Sequence, residues 1–189
     1  MNRREALSTV ALLVGGTIIG AEAFLSGCKT TGKKEGLFAT DDVALLDEVG
    51  ETILPTTPDS PGAKATGIGQ FMKTIVTDCY EDKDQQIFTA GIGKLNDASN
   101  KKFSKDFMSL TADQRHDLLV DLDTEAKNYE KSKKDSDPTH YFSMIKQLTI
   151  WGYFTSKPGA TEALRYVAIP GHFDGCVPYK KGEKAWATS

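Results

Sequence analysis

Apolar side chains recur at three- and four-residue steps through most of this 189-residue chain, and this spacing constrains the fold more than any other feature. The period places apolar residues on one face of an α-helix. It predicts helices over about 41–53, 68–79, 83–97, 111–131 and 138–151. No stretch alternates with a period of two for long enough to predict a strand. We therefore expect an all-α fold, an irregular bundle of about five or six helices.

Local features refine the third and fourth helices. Gly91 and Gly93 weaken the third, and the polar run from Ser99 to Lys105 is typical of a connector. Thr111 and Gln114 have the spacing of a capping box, which predicts the start of the fourth helix.

The fifth helix and the acidic face of the first are also predicted from pattern. Pro138 suits the first helical turn, because its missing N–H would be unpaired there in any case. The apolar stripe that follows consists of Tyr141, Met144, Ile145, Leu148 and Trp151. In the first helix, Asp47, Glu48 and Glu51 are interpreted as a solvent-exposed charged face.

The beginning of the chain resembles a bacterial export signal. Arg3 and Arg4 resemble the twin-arginine signal of proteins exported in the folded state, and the apolar run 10–19 is too short to span a bilayer. The sequence from Leu25 to Cys28 resembles a lipoprotein box, whose cysteine is lipidated and becomes the first mature residue. Sec export and an uncleaved membrane anchor are the alternatives, and the small residues before Cys28 argue against the anchor.

These features predict three regions and a location. We expect a signal peptide over residues 1–27, a lipidated tether over 28–40 and a helical domain over 41–189. The protein is then periplasmic and attached to the membrane through a lipid anchor.

Charge and cysteine content bound the partners and the cross-links. The formal net charge is −3 and the chain has no basic stripe, so we do not expect nucleic-acid binding. Cys79 and Cys176 remain after lipidation and would form a disulfide in an oxidising periplasm, or stay as two separate thiols, one of them buried in a helix.

The chain has no recognisable catalytic, cofactor or metal motif. Gly91-Ile92-Gly93 lacks the third glycine of a dinucleotide-binding loop and lies within a helical pattern. A covalent-haem motif is absent, and the cysteines are too few for an iron–sulfur cluster. His116, His140 and His172 are not spaced as zinc ligands, so each is interpreted as a surface or capping residue.

The segment from residue 168 to residue 189 differs from the rest because it mixes turn-forming residues with aromatics. It cannot be a regular helix and is expected to be an irregular C-terminal tail. Its aromatic side chains would either cover the core of the domain or dock on a partner.

Several separated motifs resemble one protein family. They are the run from Glu51 to Phe71 with its Leu-Pro-Thr-Thr-Pro-Asp-Ser-Pro-Gly core, the run from Leu110 to Arg115, Leu148-Thr149 with the segment 152–156, Tyr166, and Pro170-Gly171. In this order they are similar to the gluconate 2-dehydrogenase subunit 3 (gamma subunit) family. The resemblance covers about residues 41–176.

The resemblance implies a function for the chain. Members are small exported subunits of membrane-associated dehydrogenases whose large flavoprotein subunit, holding FAD, oxidises a sugar or sugar acid, and a cytochrome c subunit commonly takes the electrons onward. The small subunit is associated with export and maturation, so the resemblance implies that this chain is non-catalytic and holds no cofactor. A lipobox is not universal in the family, and here it implies that the chain also supplies membrane attachment.

A partner interface is expected on the matching residues. It comprises Pro55, Pro58, Pro61, Gly62, Tyr153, Phe154, Tyr166, Pro170 and Phe173, with the two aromatics of the fifth helix as anchors. Alternatively, Tyr153 and Phe154 complete the core. Two other functions stay open, a stand-alone lipoprotein that acts as a binding or scaffold module, and a domain that acts on a sugar by itself.

Overall fold

The periodic segments fold as five α-helices. The computed structural model of the chain describes residues 36–169, 171–172 and 175–187. The helices are α1 (Asp42–Ile53), α2 (Ile68–Cys79), α3 (Asp82–Phe103), α4 (Ala112–Ser132) and α5 (Tyr141–Thr155). Two 3₁₀ turns (Ala63–Thr66 and Phe107–Ser109) and a π turn (Gly159–Ala163) join or follow them. These parts of the chain hold two isolated β-bridges and no strand, which confirms the all-α prediction.

Helix α5 is the centre of the bundle and packs against all four other helices. Its apolar stripe is buried at Tyr141, Phe142, Met144, Ile145 and Leu148. Each such side chain stabilises the fold by about 1.5–3 kcal/mol relative to an exposed position. The surrounding helices each contribute a buried apolar face to this one core.

The start of α4 agrees with its prediction, whereas the start of α5 does not. The hydroxyl of Thr111 accepts a hydrogen bond from the N–H of Gln114 (3.3 Å), and the Gln114 side chain accepts one from the N–H of Thr111 (3.2 Å), so the capping box is confirmed. Helix α5 begins at Tyr141 and is capped by His140, whose Nδ1 accepts from the N–H of Phe142 (3.3 Å). Pro138 therefore belongs to the preceding connection.

Helix α3 is longer than predicted, so the expected connector from Ser99 is wrong. The helix continues to Phe103 because Ser99 is buried and satisfies its hydroxyl by donating to the carbonyl of Lys105 (2.6 Å). Gly91 lets this helix approach α5, since a Cβ atom at this position would lie 2.5 Å from the Cβ of Tyr141.

The described part of the chain starts within the range assigned to the tether. It belongs to one compact unit that begins at residue 36. Phe38 is buried and packs edge-on against Phe88, with 6.1 Å between the ring centroids. Arg3, Arg4 and Cys28 lie outside the described residues. Within those residues, no helix has both the length and the apolar character needed to cross a membrane.

The predicted disulfide is not formed in the structure. Cys79 is the last residue of α2, Cys176 lies in the tail, and both thiols are free and exposed. The alternative of two separate thiols therefore describes this structure, although Cys79 is not buried as that alternative supposed.

Candidate functional site

The proline-rich loop, residues 54–62, lies between α1 and the first 3₁₀ turn. The carboxylate of Glu51 holds its two ends in place. Glu51 accepts hydrogen bonds from the N–H (2.9 Å) and hydroxyl (2.7 Å) of Thr56 and from the N–H of Lys64 (3.1 Å). A bridge between Thr57 and Ser60 closes the tip of the loop. These bonds between residues close in the chain help to hold the loop in one shape.

The predicted interface residues of this loop differ in exposure. Pro55 and Pro58 are exposed, Pro61 is half-buried and Gly62 is buried. Gly62 lies so close to the Glu51 carboxylate that a Cβ atom would overlap it. Of these four residues, only Pro55 and Pro58 are exposed to solvent.

Of the two expectations for Tyr153, the structure agrees with a core residue and not with an exposed anchor. Its side chain is 4% exposed, and its hydroxyl donates a hydrogen bond to the carbonyl of Pro61 (2.6 Å). Phe154 is half-buried and packs edge-on against Tyr153, with centroids 5.0 Å apart. Tyr153 therefore completes the core and ties α5 to the proline-rich loop.

The acidic residues of α1 are not a solvated face, which corrects a second expectation. Asp47 accepts a hydrogen bond from the N–H of Gly69 (2.7 Å) at the start of α2. Glu48 forms ion pairs with Lys64 and with Arg115, whose side chain also donates to the carbonyl of Met108 (2.9 Å). These contacts join α1 to α2, to α4 and to the turn before α4.

Glu48 is the most strongly engaged of these carboxylates. The Glu48 and Arg115 side chains are 16% and 17% exposed, so water screens their attraction less than it would on the surface. The hydrogen bond from Lys64 and the positive charge of Arg115 hold the pKa of Glu48 below its usual value, against the opposing effect of burial. The cluster links α1 to α4 and to the first 3₁₀ turn.

The tail is fastened to the domain at its far end. Arg165 forms main-chain hydrogen bonds with Ala185 (2.7 Å) and Ala187 (2.9 Å), stacks on the Trp186 ring at 3.7 Å and pairs with Glu183. The ammonium group of Lys184 donates to two main-chain carbonyls of the domain.

The segment between Arg165 and Glu183 carries exposed apolar side chains, of which Ile169 and Tyr179 are over four-fifths exposed. Tyr166 is half exposed, whereas Pro170 and Phe173 lie outside the described residues. The described tail residues near position 185 therefore hold the tail to the domain, while Ile169, Val177 and Tyr179 expose apolar surface to solvent.

A groove between α4 and α5 was missed by the sequence analysis. It has a volume of about 540 Å³ and is lined by Asp123, Lys127 and Lys131 on α4 and by Lys146, Ile150 and Trp151 on α5. Trp151, predicted to be in the core, is 49% exposed and Ile150 is 41% exposed. Successive helical residues are about 100° apart, so Trp151 lies roughly 60° and Tyr153 roughly 140° from Leu148 of the buried stripe. Helical spacing thus favours Trp151 for the core, and the sequence has no signal that places Trp151 outside the core and Tyr153 inside it.

Among residues 36–169, 171–172 and 175–187, no group of three or more His, Cys, Asp and Glu side chains could hold a metal ion. His140 serves as a helix cap, which agrees with its predicted role.

The comparisons with known proteins identify the family. The family described as Gluconate 2-dehydrogenase subunit 3 matches residues 40–171, which is most of the chain and includes all five helices. No curated protein and no solved structure gives a significant match.

Proposed function

Because the chain belongs to the gluconate 2-dehydrogenase subunit 3 family, we propose that it is the accessory subunit of an exported, flavin-dependent dehydrogenase for a sugar or sugar acid. The family match across residues 40–171 is the observation that carries this proposal. The family name describes a subunit of an oxidoreductase complex, and the role of this chain in that complex is non-catalytic.

In this proposal the chemistry belongs to the large partner. The partner binds FAD, oxidises a CH–OH group of the substrate and passes the electrons onward, to a cytochrome c subunit where one is present. In the small subunit, the carboxylates of Glu48 and Glu51 form hydrogen bonds and ion pairs that hold the fold together.

The small subunit contributes a rigid docking surface and an export signal. Glu51 and Tyr153 fix the proline-rich loop, so the loop loses little conformational freedom when a partner binds it. Arg3 and Arg4 supply a twin-arginine signal for a partner that must fold around its flavin before it crosses the membrane. Cys28 then supplies the lipid that holds the complex at the membrane.

The export role is tested with a double Arg3→Lys, Arg4→Lys variant, which keeps the charge but removes the twin-arginine signal. We expect the flavoprotein and its bound flavin to accumulate in the cytoplasm, because the partner depends on the signal of the small subunit. A Lys33→Arg, Lys34→Arg variant is the matched control and should leave export unchanged. A flavoprotein that still reaches the periplasm in the twin-arginine variant would contradict the export role.

A further inference from the structure

The groove between α4 and α5 has the form of an elongated docking site. Its lining residues recur at three- and four-residue steps, from Asp123 to Lys131 on α4 and from Ser143 to Trp151 on α5. Eight helical residues extend about 12 Å, so the groove follows both helices for roughly two turns. This length fits a short segment of another polypeptide.

The floor of the groove offers an apolar anchor that is already ordered. Trp151 and Ile150 are adjacent and exposed. This is unusual, because an apolar residue on a helix stabilises the fold most when its side chain is buried in the core. The Trp151 ring packs edge-on against Phe71, with 5.3 Å between centroids. A tryptophan held in one orientation loses little entropy on binding, and tryptophan is enriched among the residues that dominate interface energies.

The charges at the rim indicate what kind of segment fits. Three lysines and two carboxylates line the groove, which leaves a positive excess. Asp123 is shared by two of the lysines, at 2.7 Å from Lys127 and 2.5 Å from Lys146, and Glu130 pairs with Lys133. These pairs engage both carboxylates with three lysines and leave Lys131 outside them, so the positive excess remains and a complementary partner presents acidic side chains around an apolar one.

We propose that this groove is where the subunit binds its large flavoprotein partner, by receiving an apolar side chain flanked by carboxylates. This inference rests on the proposed function, and it names a surface different from the proline-rich loop. Trp151 is the central contact, and Lys131 selects the acidic flanks.

Co-purification with the flavoprotein tests the groove. The full-length chain with a C-terminal tag is isolated from solubilised host membranes, and the bound flavin per chain is measured. Trp151→Ala should retain at least tenfold less flavoprotein than the wild type, whereas Val120→Ala, which trims an apolar side chain of α4 that is 48% exposed and does not line the groove, should retain the wild-type amount. Lys131→Glu changes only an exposed rim residue and should also weaken retention, which guards against misfolding as the cause of the Trp151 result.

The outcomes separate the two proposals. If the wild type retains flavoprotein and Trp151→Ala and Lys131→Glu retain it equally well, the groove is not the docking site while the accessory role stands. If the wild type itself retains no flavoprotein, the proposed function fails and this inference fails with it.

Photocrosslinking identifies the occupant directly. A benzoylphenylalanine at Gln147, an exposed groove residue, should crosslink to the flavoprotein, and the same probe at Gln86, exposed on α3, should not. Crosslinks from Gln147 to a second copy, to another segment of this chain or to lipid, or no crosslink there, would overturn the proposal.

Discussion

Glu48 shows how one carboxylate joins three parts of the fold. It is paired with Lys64 and Arg115, and its pKa lies below the ordinary value of 4.5 because the charged form is stabilised. At acidic pH the Glu48 carboxylate is therefore protonated more readily in the unfolded chain than in the folded chain. The contribution of Glu48 to the free energy of unfolding is complete above pH 4.5 and is lost as the pH falls through the lowered pKa.

The first prediction follows from this linkage. Glu48→Gln should lower the free energy of unfolding by about 2 kcal/mol at neutral pH, since it leaves the Arg115 charge without its partner. Urea unfolding at about pH 6 and about pH 3 should show a smaller acid-induced loss in the variant than in the wild type. Glu162→Gln on the exposed π turn removes the same charge and is the control. An equal acid-induced loss of unfolding free energy in Glu48→Gln and in the wild type would contradict this account.

The second prediction concerns the hydroxyl of Tyr153. Tyr153→Phe keeps the buried ring but leaves the carbonyl of Pro61 without its hydrogen bond, and should reduce the free energy of unfolding by about 1–2 kcal/mol. Tyr179→Phe removes a hydroxyl from an exposed ring and should have no effect. Urea denaturation of the mature domain measures both, and similar stabilities for the two variants would show that the bond to Pro61 is unimportant.

The sequence could not reveal these residue-level contacts, because the partners are far apart along the chain. Arg115 is 67 positions from Glu48, and Pro61 is 92 positions from Tyr153. A helical pattern separates an apolar face from a polar one, but it does not tell a polar residue in water from one paired with a neighbouring helix. The exposure of Trp151 was missed for a related reason, since an aromatic residue beside a stripe is easily counted within it.

At the scale of the elements, α3 offers two glycines in contrasting surroundings. A Cβ atom at Gly91 would meet the Tyr141 side chain at 2.5 Å, whereas one at Gly93 would meet open space. Gly93→Ala should therefore stabilise the protein by up to about 1 kcal/mol through helix propensity. Gly91→Ala should destabilise it by about 1–3 kcal/mol, because α3 and α5 must move apart. Thermal unfolding compares the two, and stabilisation by both would disprove the close approach.

The helices themselves could be predicted from the sequence, and their ends only in part. Apolar residues at helical spacing located all five helices, and the capping box located the start of α4. The end of α3 was missed because Ser99 is polar in sequence but buried in the fold. The start of α5 was misplaced because Pro138 is equally compatible with a connection.

At the scale of the whole molecule, the proposed lipid anchor at Cys28 determines where the complex is found. Cys28→Ser should release the complex from the membrane into the soluble periplasmic fraction, because serine cannot be lipidated. Cys176→Ser replaces an exposed, free thiol and should leave the complex on the membrane. Cell fractionation with detection of both subunits distinguishes them. A Cys28→Ser complex that still sediments with membranes would mean that another subunit supplies the attachment.

The accessory role in a flavin-dependent dehydrogenase is tested most directly by purifying the tagged wild-type chain from solubilised membranes. The eluate is resolved by size, its chains are identified by mass spectrometry, and its absorbance spectrum is recorded. We expect a large flavoprotein in constant ratio to this subunit, with a flavin spectrum that sugar or sugar acid bleaches. A lone and colourless chain would contradict the role and favour a stand-alone lipoprotein.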